Sequence, residues 1–443
     1  MREDEIVKAT GAEVLKKGKN LDDYSFSTDT RTIKSGDIYL PLKGENFDGE
    51  NFIQEALNKG AVGYFTTQGK VYDEAGVIFK VENTLDAYLK LANFYKNKIN
   101  PKVVGITGSS GKTTTKEMVY SVVKEKFKTV KTFSNHNNEI GFCQTVFESQ
   151  PDTEVLIIEM GMRGLGEIEL ISRYAEPDFA IVTNSGSAHI GRLGTLENIA
   201  KAKCEIAKFL NPNGAFIALN QQRIKDVLEY LGEKIYYSID DVQVIENRPS
   251  YSKYVYKNNE YELFVEGDYN IENSLSAIEV GFKLGMTYEE IKQGLASYKP
   301  IEKRWEVEKI GDLKLINDSY NANPESMKAS VKTFIELYEN PVVVLGNMGE
   351  LGENEVLYHR EVGQFLSKVS AKNVKFLTVG NLASKIGEEL LNQGFEVSSF
   401  DNNEQVSRYI LDNLNVDYTI FLKASRSMKF EEIIEVLKRG KQW

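Results

Sequence analysis

A glycine-rich segment with one lysine is the part of this sequence best suited to chemistry. The run Gly105-Ile-Thr-Gly-Ser-Ser-Gly-Lys-Thr-Thr-Thr115 follows Val103-Val104 and precedes Lys116-Glu-Met-Val-Tyr120. A strand, a glycine-rich turn and a helix form a phosphate-binding loop, in which backbone N–H groups surround phosphate oxygens at the helix N-terminus. Lys112 adds a charge directed at the outer phosphates, and the Thr113 hydroxyl can ligate Mg²⁺. The segment predicts a protein that uses a nucleoside triphosphate.

The match to the pattern G-x-x-x-x-G-K-[ST] is incomplete, because Ile106 stands where the first glycine belongs. The shorter form, Thr-Gly-Ser-Ser-Gly-Lys-Thr over residues 107–113, is intact. The alternative interpretation is a glycine-rich turn that carries a lysine by chance. The strand pattern before the turn and the helix pattern after it favour the phosphate loop over that alternative.

A carboxylate and an imidazole follow apolar strand patterns further along the chain. Glu159 comes directly after Val155–Ile158, and His189 lies in the loop after Phe179–Val182. In open α/β sheets, ligands bind beyond the carboxyl ends of the strands. Glu159 is therefore placed to hold Mg²⁺ opposite the phosphate loop, and His189 to ligate a second metal ion. The alternatives are a surface carboxylate at a strand end and a solvated loop histidine.

Lys203 shares a helical stripe with apolar residues. On a helix over residues 196–210, with 100° per residue, one face carries Lys203 and five apolar side chains, those of Leu196, Ile199, Ile206, Ala207 and Leu210. Burial disfavours the charged amine and lowers its pKa, and a neutral amine can react with CO₂ to form a carbamate, an anionic metal ligand. The alternative is a lysine that extends along the stripe edge to water, which periodicity alone favours.

Charged residues in the last third of the chain can reach a nucleotide or another anion. Arg304 can contact a phosphate, and Asp318, after the strand pattern Lys314–Ile316, can accept hydrogen bonds from ribose hydroxyl groups. Arg426 follows another apolar strand pattern and can hold an anionic group. Each could instead be a surface charge, but the dense asparagine content around Asp318 favours a site.

Size and composition restrict the class of protein. The chain has 443 residues, which predicts about three domains, and its formal net charge of −11 argues against a nucleic-acid or anionic-membrane partner. The N-terminal residues lack the apolar core of a signal peptide, and we find no apolar run long enough to cross a bilayer. Cys143 and Cys204 lie far apart without metal-site spacing, which predicts reduced thiols in a cytoplasmic protein. We expect a monomer.

The order of the elements predicts an α/β protein with three domains, divided at residues 1–98, 99–302 and 303–443. We expect a small mixed α/β domain, a central phosphate-loop domain with a mostly parallel sheet, and a doubly wound Rossmann-like domain. A linker is expected over 98–101, and a hairpin with strands over 251–256 and 261–265. The predicted strands of the three domains are, in order, 36–41, 62–66 and 76–80; 155–158, 179–182 and 215–219; and 314–316, 341–345, 374–378 and 418–422.

These motifs together resemble the Mur ligases, which build the peptide of the bacterial cell-wall precursor, and the resemblance covers essentially the whole chain. It rests on the phosphate loop, on Glu159 in Glu-Met-Gly, on His189 in Thr-Asn-x-x-x-x-His and on Lys203 in Ala-Lys-x-Glu-Ile. Further matching segments are Asp29-Thr-Arg31, Gly44-Glu-Asn-Phe-Asp-Gly49, Ser134–Gly141, Gly267-Asp-Tyr-Asn-Ile-Glu-Asn273, Asp318–Ser326, Leu345–Gly352 and Lys423-Ala-Ser-Arg426. The Asp-Asn-Pro-Arg motif of the sister enzyme that adds a diamino acid or lysine is lacking.

The resemblance implies a set of site residues. The ATP-binding residues would be Gly108, Ser109, Ser110, Gly111, Lys112, Thr113, Thr114, Asn270, Asn273, Arg304 and Asp318. The ligands of one or two Mg²⁺ ions would be Thr113, Glu159, His189 and a Lys203 carbamylated by CO₂. The catalytic residues would be Lys112, Glu159, His189 and Lys203, and the substrate-binding residues Thr30, Arg31, Gly44, Asp48, Asn138, Asn321, Asn323 and Arg426.

The implied activity is ATP-dependent ligation of D-alanyl-D-alanine to UDP-N-acetylmuramoyl-tripeptide through an acyl phosphate. The first domain would bind the UDP-sugar, and the third would close over ATP and bind the incoming dipeptide. Tyr269, Asn347 and Ala424 depart from the family pattern, which usually has His, Asp and Gly there. The alternatives are another ligase of the superfamily, such as a polyglutamate-adding enzyme, a nucleotide-driven ATPase switch, and an inert relative that senses UDP-muramoyl peptides.

Overall fold

The computed structural model describes residues 1–18, 23–301 and 303–440, which form three successive α/β units. The first contains a five-stranded sheet of order β1-β7-β6-β3-β2, in which only β1 is antiparallel, and a two-stranded ribbon, β4-β5. Its strands are β1 (Glu13–Lys16), β2 (Ser25–Ser27), β3 (Asp37–Tyr39), β4 (Lys43–Gly44), β5 (Phe47–Asp48), β6 (Gly63–Thr66) and β7 (Val77–Lys80). Its helices are α1 (Glu3–Thr10), α2 (Ile53–Asn58) and α3 (Thr84–Ile99).

The second unit is built on a six-stranded parallel sheet of order β13-β12-β11-β8-β10-β9. Its strands are β8 (Lys102–Thr107), β9 (Thr129–Lys131), β10 (Val155–Glu159), β11 (Phe179–Val182), β12 (Ala215–Leu219) and β13 (Glu233–Tyr237). An antiparallel sheet follows, with β14 (Val242–Arg248), β15 (Tyr251–Tyr256) and β16 (Asn259–Leu263). The helices are α4 (Lys112–Val123), α5 (Glu139–Phe147), α6 (Glu167–Ala175), α7 (Ile190–Leu193), α8 (Leu196–Cys204), α9 (Gln222–Val227), α10 (Asp268–Lys283) and α11 (Tyr288–Ala296).

The third unit has a six-stranded sheet of order β17-β18-β22-β19-β20-β21, parallel except for β17. Its strands are β17 (Glu306–Ile310), β18 (Leu313–Asn317), β19 (Pro341–Gly346), β20 (Lys375–Val379), β21 (Glu396–Phe400) and β22 (Thr419–Lys423). Its helices are α12 (Pro324–Leu337), α13 (Glu355–Val369), α14 (Ala383–Asn392), α15 (Asn403–Asn413) and α16 (Glu431–Gly440). In the described part of the chain, no helix combines the length and apolarity needed to span a bilayer.

The central strands of the parallel sheets are buried along their whole length, as in β10, β11 and β19. Their continuous apolar sequences follow from helices on both faces of each sheet. β8 pairs with β10 and β11 in a register that aligns Ile106 with Glu159 and Thr107 with Val182. The loops after these three strands therefore meet at one edge of the central sheet, where α/β proteins bind ligands.

Most predicted elements are confirmed, with four differences. The predicted linker is shorter than expected, because α3 continues through Ile99 and only Asn100 and Pro101 precede β8. The hairpin turns at Lys257-Asn258, both left-handed, so β16 begins two residues early. Helix α8 ends at Cys204 and tightens into a 3₁₀ turn to Ala207 instead of reaching residue 210. Nine strands were not predicted: β1, β2, β4, β5, β9, β13, β14, β17 and β21. The exact domain boundaries stay a prediction.

Candidate active site

The candidate site is a cavity of about 930 Å³ between the central and C-terminal sheets. All of the predicted ATP-binding residues except Gly108 line it, as do Glu159, His189, Asn138, Asn321 and Asn323. The cavity therefore brings together side chains from the ends of β8, β10 and β11 and from the loops that open the third unit. That placement agrees with the rule that ligands bind beyond the carboxyl ends of parallel strands.

The phosphate loop lies between β8 and α4. Its two glycines have positive φ, 152° at Gly108 and 78° at Gly111, conformations that L side chains adopt only with strain. A Cβ at Gly111 would lie 2.6 Å from Asn273 Oδ1, so this position also needs glycine for space. Helix α4 begins at Lys112, and its free N–H groups make the loop an anion-binding site.

Lys112 is folded back onto its own loop, where its Nζ donates to the Gly108 carbonyl at 2.6 Å. Burial lowers the pKa of this amine, and the positive charge of Arg304 lowers it further, whereas Glu159 and Glu350 raise it. A triphosphate in the loop would replace the carbonyl as the partner of Lys112. The side chain is thus placed to contact phosphate without a large movement.

Glu159 presents one oxygen to protein donors and leaves the other open. Its Oε1 accepts from Thr113 Oγ1 at 3.3 Å and from Asn137 Nδ2 at 3.1 Å. Its Oε2 is buried and, among the described residues, has no hydrogen-bond partner, although Lys116 Nζ lies 3.6 Å away. Buried carboxylate oxygens are normally satisfied. An open oxygen beside the phosphate loop therefore fits a bound cation, and carboxylate and hydroxyl oxygens are the ligands that Mg²⁺ prefers.

His189 lies at the start of α7 with a left-handed φ of 68°. Its ring lines the cavity and is mostly buried, and Nδ1 lies 2.6 Å from Glu350 Oε2 in the third unit. The two atoms are close enough for a hydrogen bond, but the ring N–H in this structure is not aimed at the oxygen, and no other described residue pairs with Nδ1. The nearby His189 ring lowers the pKa of the Glu350 carboxyl below its usual value.

Lys203 is fully buried on α8 and does not reach water, whereas the helical stripe alone favoured a side chain that extends to water. Within residues 1–18, 23–301 and 303–440, its Nζ has no hydrogen-bond partner. Burial holds the pKa of this amine well below its usual range, and the charge of Lys112 lowers it further. Lys203 is not among the residues that line the cavity. A buried amine without a partner fits a group that is neutral or chemically modified.

The proposed metal ligands are not a conventional cluster. In the described ranges no group of three or more His, Cys, Asp and Glu side chains could hold a metal ion. The predicted set has one carboxylate, Glu159, and one imidazole, His189. Its other members are a hydroxyl group and a lysine that would become anionic only as a carbamate. The set can therefore hold Mg²⁺ only if these less usual ligands take part.

The remaining nucleotide residues are held by short contacts. Asn270 Nδ2 donates to the Glu266 carbonyl at 2.7 Å. The Arg304 guanidinium stacks on the Tyr320 ring at 3.9 Å. Asp318 accepts from Lys423 Nζ at 2.6 Å, which directs its carboxylate along the cavity wall. These contacts fix the side chains before any nucleotide arrives.

Five predicted substrate residues, all described by the structure, do not line this cavity: Thr30, Arg31, Gly44, Asp48 and Arg426. Arg426 instead pairs with Glu431 at 3.2 Å. The other four lie in the N-terminal unit, where Arg31 pairs with Asp29 at 2.6 Å and Thr30 Oγ1 donates to Glu55 at 3.0 Å. A sequence motif places such residues on a domain but does not say how far that domain lies from the phosphate loop.

Three functional candidates were missed by sequence reasoning: Lys116, Glu325 and Glu350. Lys116 is buried one turn after the phosphate loop and donates to the carbonyls of Thr132 and Ser134, which begin the loop that carries Asn138. Glu325 and Glu350 come from the third unit and contact the loop after β11. A lysine four residues after Lys112 has no local feature that would reveal its burial, and contacts between distant domains leave no local pattern.

The departure at Asn347 has a structural explanation. Its Oδ1 accepts from the backbone N–H groups of Leu382 at 3.2 Å and Ala383 at 2.8 Å, at the start of α14. The side chain therefore satisfies free N–H groups at a helix N-terminus, a task that needs an acceptor and no charge.

We expect Asn347→Asp to keep or slightly raise stability, because a carboxylate accepts the same bonds and interacts favourably with the helix dipole. Asn347→Ala is expected to lose about 1 kcal/mol, as a missing N-cap does. Thermal unfolding of the two variants beside the unaltered chain measures both effects. Equal losses in the two variants would show that the N-terminus of α14 does not depend on this acceptor.

The fold and the site define a nucleotide-binding enzyme with a phosphate loop and an active site between two α/β domains. Residues 106–281 match the Mur ligase middle domain, residues 303–426 the Mur ligase glutamate ligase domain, and residues 24–96 the catalytic domain of the Mur ligase family. The chain is 35% identical over 430 residues to the UDP-N-acetylmuramoyl-tripeptide--D-alanyl-D-alanine ligase of Bacillus subtilis, covering 94% of this chain and 93% of that protein. The chain belongs to the Mur ligase family.

Solved structures agree with this assignment. The fold matches MurF from Acinetobacter baumannii with a TM-score of 0.90 and 26% identity over 98% of each chain. It matches MurF ligase from Thermotoga maritima in complex with ADP with a TM-score of 0.82 and 27% identity, over 95% of this chain and 98% of that one. The predicted three-domain α/β fold and the resemblance to Mur ligases are thereby confirmed.

Proposed function

We propose that this enzyme joins D-alanyl-D-alanine to UDP-N-acetylmuramoyl-tripeptide with conversion of ATP to ADP and phosphate. The relative from Bacillus subtilis that covers most of the chain carries the name of this activity. The observation that carries the proposal is the cavity itself, in which Lys112, the open oxygen of Glu159 and His189 face one space beside the phosphate loop. The product is a precursor of the bacterial cell wall.

The reaction must bring two anions together. A carboxylate oxygen of the tripeptide attacks the γ-phosphorus of ATP, the bond to the β–γ bridging oxygen breaks, and ADP leaves with that electron pair. Lys112 and the N–H groups at the start of α4 stabilise the charge on the phosphates, and Arg304 from the third domain adds a second positive charge. The amine of D-alanyl-D-alanine then attacks the acyl phosphate, and phosphate leaves as the amide forms.

Thr113, Glu159, His189 and a carbamylated Lys203 are proposed to hold one or two Mg²⁺ ions, which would neutralise phosphate charge in the reaction. The fit is supported by two buried atoms that lack a hydrogen-bond partner among the described residues: Lys203 Nζ, and Glu159 Oε2, from which Lys116 Nζ lies 3.6 Å away. Burial lowers the pKa of Lys203, and a lower pKa favours the neutral amine that carbamylation needs. Glu159 and Thr113 are held against each other, so their oxygens keep a fixed separation.

An acyl phosphate is hydrolysed by water, so the site must be closed during the reaction. The third domain supplies Asn321, Asn323 and Asp318 to the cavity wall, and we assign to it closure over ATP and contact with the dipeptide. The first domain is assigned the UDP-sugar through Thr30, Arg31 and the Gly44–Asp48 segment. We also propose that the enzyme acts as a monomer, and the use of ATP and a nucleotide-linked substrate supports a cytoplasmic location.

Release of phosphate from ATP tests the proposal when each substrate is added alone and in pairs. We expect release only when UDP-N-acetylmuramoyl-tripeptide and D-alanyl-D-alanine are both present. Release with glutamate and a folate-type acceptor would indicate a polyglutamate-adding ligase. Release without either substrate would indicate an ATPase switch. Substrate binding without any release would indicate a sensor.

A further inference from the structure

The C-terminal domain contacts the His189 loop at a point that the mechanism above does not use. The loop Asn347–Gly352, after β19, lies against the turn that begins α7. The Gly191 N–H donates to the Glu350 carbonyl at 3.1 Å, and a Cβ on Gly191 would lie 2.5 Å from the Gly352 nitrogen. The two backbones therefore cross with no room for side chains. This crossing fixes the Glu350 side chain beside the His189 ring.

Both residues of this contact have unusual backbone conformations. His189 has φ 68° and Glu350 has φ 63°, in the left-handed region that non-glycine residues seldom adopt. Such conformations persist where the surrounding structure imposes them, and they are concentrated at functional sites. Here the imidazole and the carboxylate lie side by side across the domain interface, with Nδ1 and Oε2 separated by 2.6 Å, and a small rotation of either group would align the ring N–H with the oxygen.

A histidine that ligates a metal through one ring nitrogen usually donates the N–H of the other nitrogen to a carboxylate. That bond selects the tautomer and fixes the ring orientation. At His189 the carboxylate is present on the Nδ1 side, which would leave Nε2 as the ligating nitrogen. The carboxylate comes from a different domain, so it is available only while that domain is docked.

We infer that Glu350 is a positioning residue supplied by the C-terminal domain, which holds His189 in the tautomer that binds metal and so couples docking of that domain to metal binding. The inference rests on the proposed function, in which His189 is a metal ligand. It goes beyond that function by assigning a role to Glu350 and an order to the reaction. The metal site is then complete only after the third domain has docked.

The first experiment measures binding of Mn²⁺ by electron paramagnetic resonance, with ADP present, in the full-length enzyme. We expect Glu350→Ala to weaken Mn²⁺ binding by about 10- to 100-fold, as loss of such a carboxylate does elsewhere. Glu353→Ala removes the same charge from an exposed position one residue beyond that loop and is expected to have no effect. Glu325→Ala removes a different contact of the same interface, the one with Ser187, and controls for weaker docking.

A double-mutant cycle separates action through His189 from a general effect. If Glu350 acts through the ring, Glu350→Ala should weaken Mn²⁺ binding in the unaltered enzyme and have no further effect in the His189→Ala variant. Equal effects in both backgrounds would overturn the inference. So would a Glu325→Ala variant that weakens binding as much as Glu350→Ala, because the cause would then be docking alone.

The second experiment measures the tautomer of the His189 ring by NMR. The chain has three histidines, so ¹⁵N labelling of histidine gives three rings to assign. His359 serves as a reference because its Nε2 accepts from the Met348 N–H at 2.9 Å, which requires the proton on Nδ1. In the unaltered enzyme with Mg²⁺ and ADP, we expect His189 to show the same Nδ1–H pattern, with Nε2 shifted by the metal. In Glu350→Ala we expect a mixture of tautomers.

Two outcomes separate failure of the inference from failure of the proposed function. If His189→Ala weakens Mn²⁺ binding but Glu350→Ala does not, the inference is wrong and the proposed metal ligand stands. If His189→Ala itself has no effect on Mn²⁺ binding, both the ligand role of His189 and the inference are wrong. In that case the phosphate-release assay still decides the ligase activity independently.

Discussion

Replacing Lys203 by alanine is expected to lower the rate of ligation by about 10²- to 10³-fold, the loss seen when one preorganised electrostatic group is removed from an active site. The side chain is buried, and no described residue satisfies its Nζ. Burial holds the pKa of its amine well below its usual range, which favours the neutral form that reacts with CO₂. The carbamate would supply the negative charge that the proposed metal site lacks.

Rescue by small acids distinguishes this role from a packing role. Alanine leaves a space in which formate or acetate can place a carboxylate where the carbamate was. We therefore expect partial recovery of ligation in Lys203→Ala with added formate, and no recovery with a neutral solute of similar size. The ligation rate is followed by phosphate release at saturating substrates, and thermal unfolding checks that the variant is folded.

Lys201 provides the matched control on the same helix. It lies on the opposite face, where it is exposed and pairs with Glu197 at 2.7 Å. Lys201→Ala is expected to ligate at the rate of the unaltered enzyme, and added formate should not change that rate. Full activity of Lys203→Ala, or its loss without any rescue by acids, would contradict the carbamate role.

Local sequence patterns were sufficient for the elements that surround the phosphate loop. Continuous apolar runs such as Val155–Ile158 and Phe179–Val182 predicted buried parallel strands, because only a strand covered on both faces needs apolar residues at every position. The physical cause of these runs acts within ten or fifteen residues. The helical stripe placed Lys203 among apolar side chains but favoured a side chain that extends to water, so its full burial was not predicted by periodicity.

Strands at the edges of sheets and contacts between domains were not predictable in the same way. β14 is largely exposed and β17 is only partly buried, and neither has the continuous apolar run that identifies a central strand. Glu350 meets His189 only because two distant loops cross at Gly191 and Gly352. No local property of a glutamate in a Gly-Glu-Leu-Gly segment says which loop it will contact. The resemblance to Mur ligases included the segment Leu345–Gly352, but only the fold shows that Glu350 lies beside His189.

Lys112→Met is expected to lower kcat by about 10³-fold while changing the affinity for ADP much less. Methionine has nearly the same length as lysine but lacks the charge. ADP would also be held by the free N–H groups at the start of α4, which the substitution leaves intact. The lysine charge matters most when negative charge moves from the γ-phosphate toward the leaving oxygen, so its loss should act on the transition state.

The measurement must separate this effect from a change in the loop, because Lys112 Nζ also holds the Gly108 carbonyl at 2.6 Å. Thermal unfolding with and without ADP reports whether the loop still binds nucleotide, and single-turnover phosphate release reports the chemical step. Lys124→Met, on an exposed lysine just beyond the end of the same helix, is the matched control and should change neither. A variant that loses ADP affinity in proportion to kcat would show that Lys112 binds the nucleotide uniformly. The two anionic reactants would then have to be brought together by other charges, namely Arg304 and the ions proposed at Glu159.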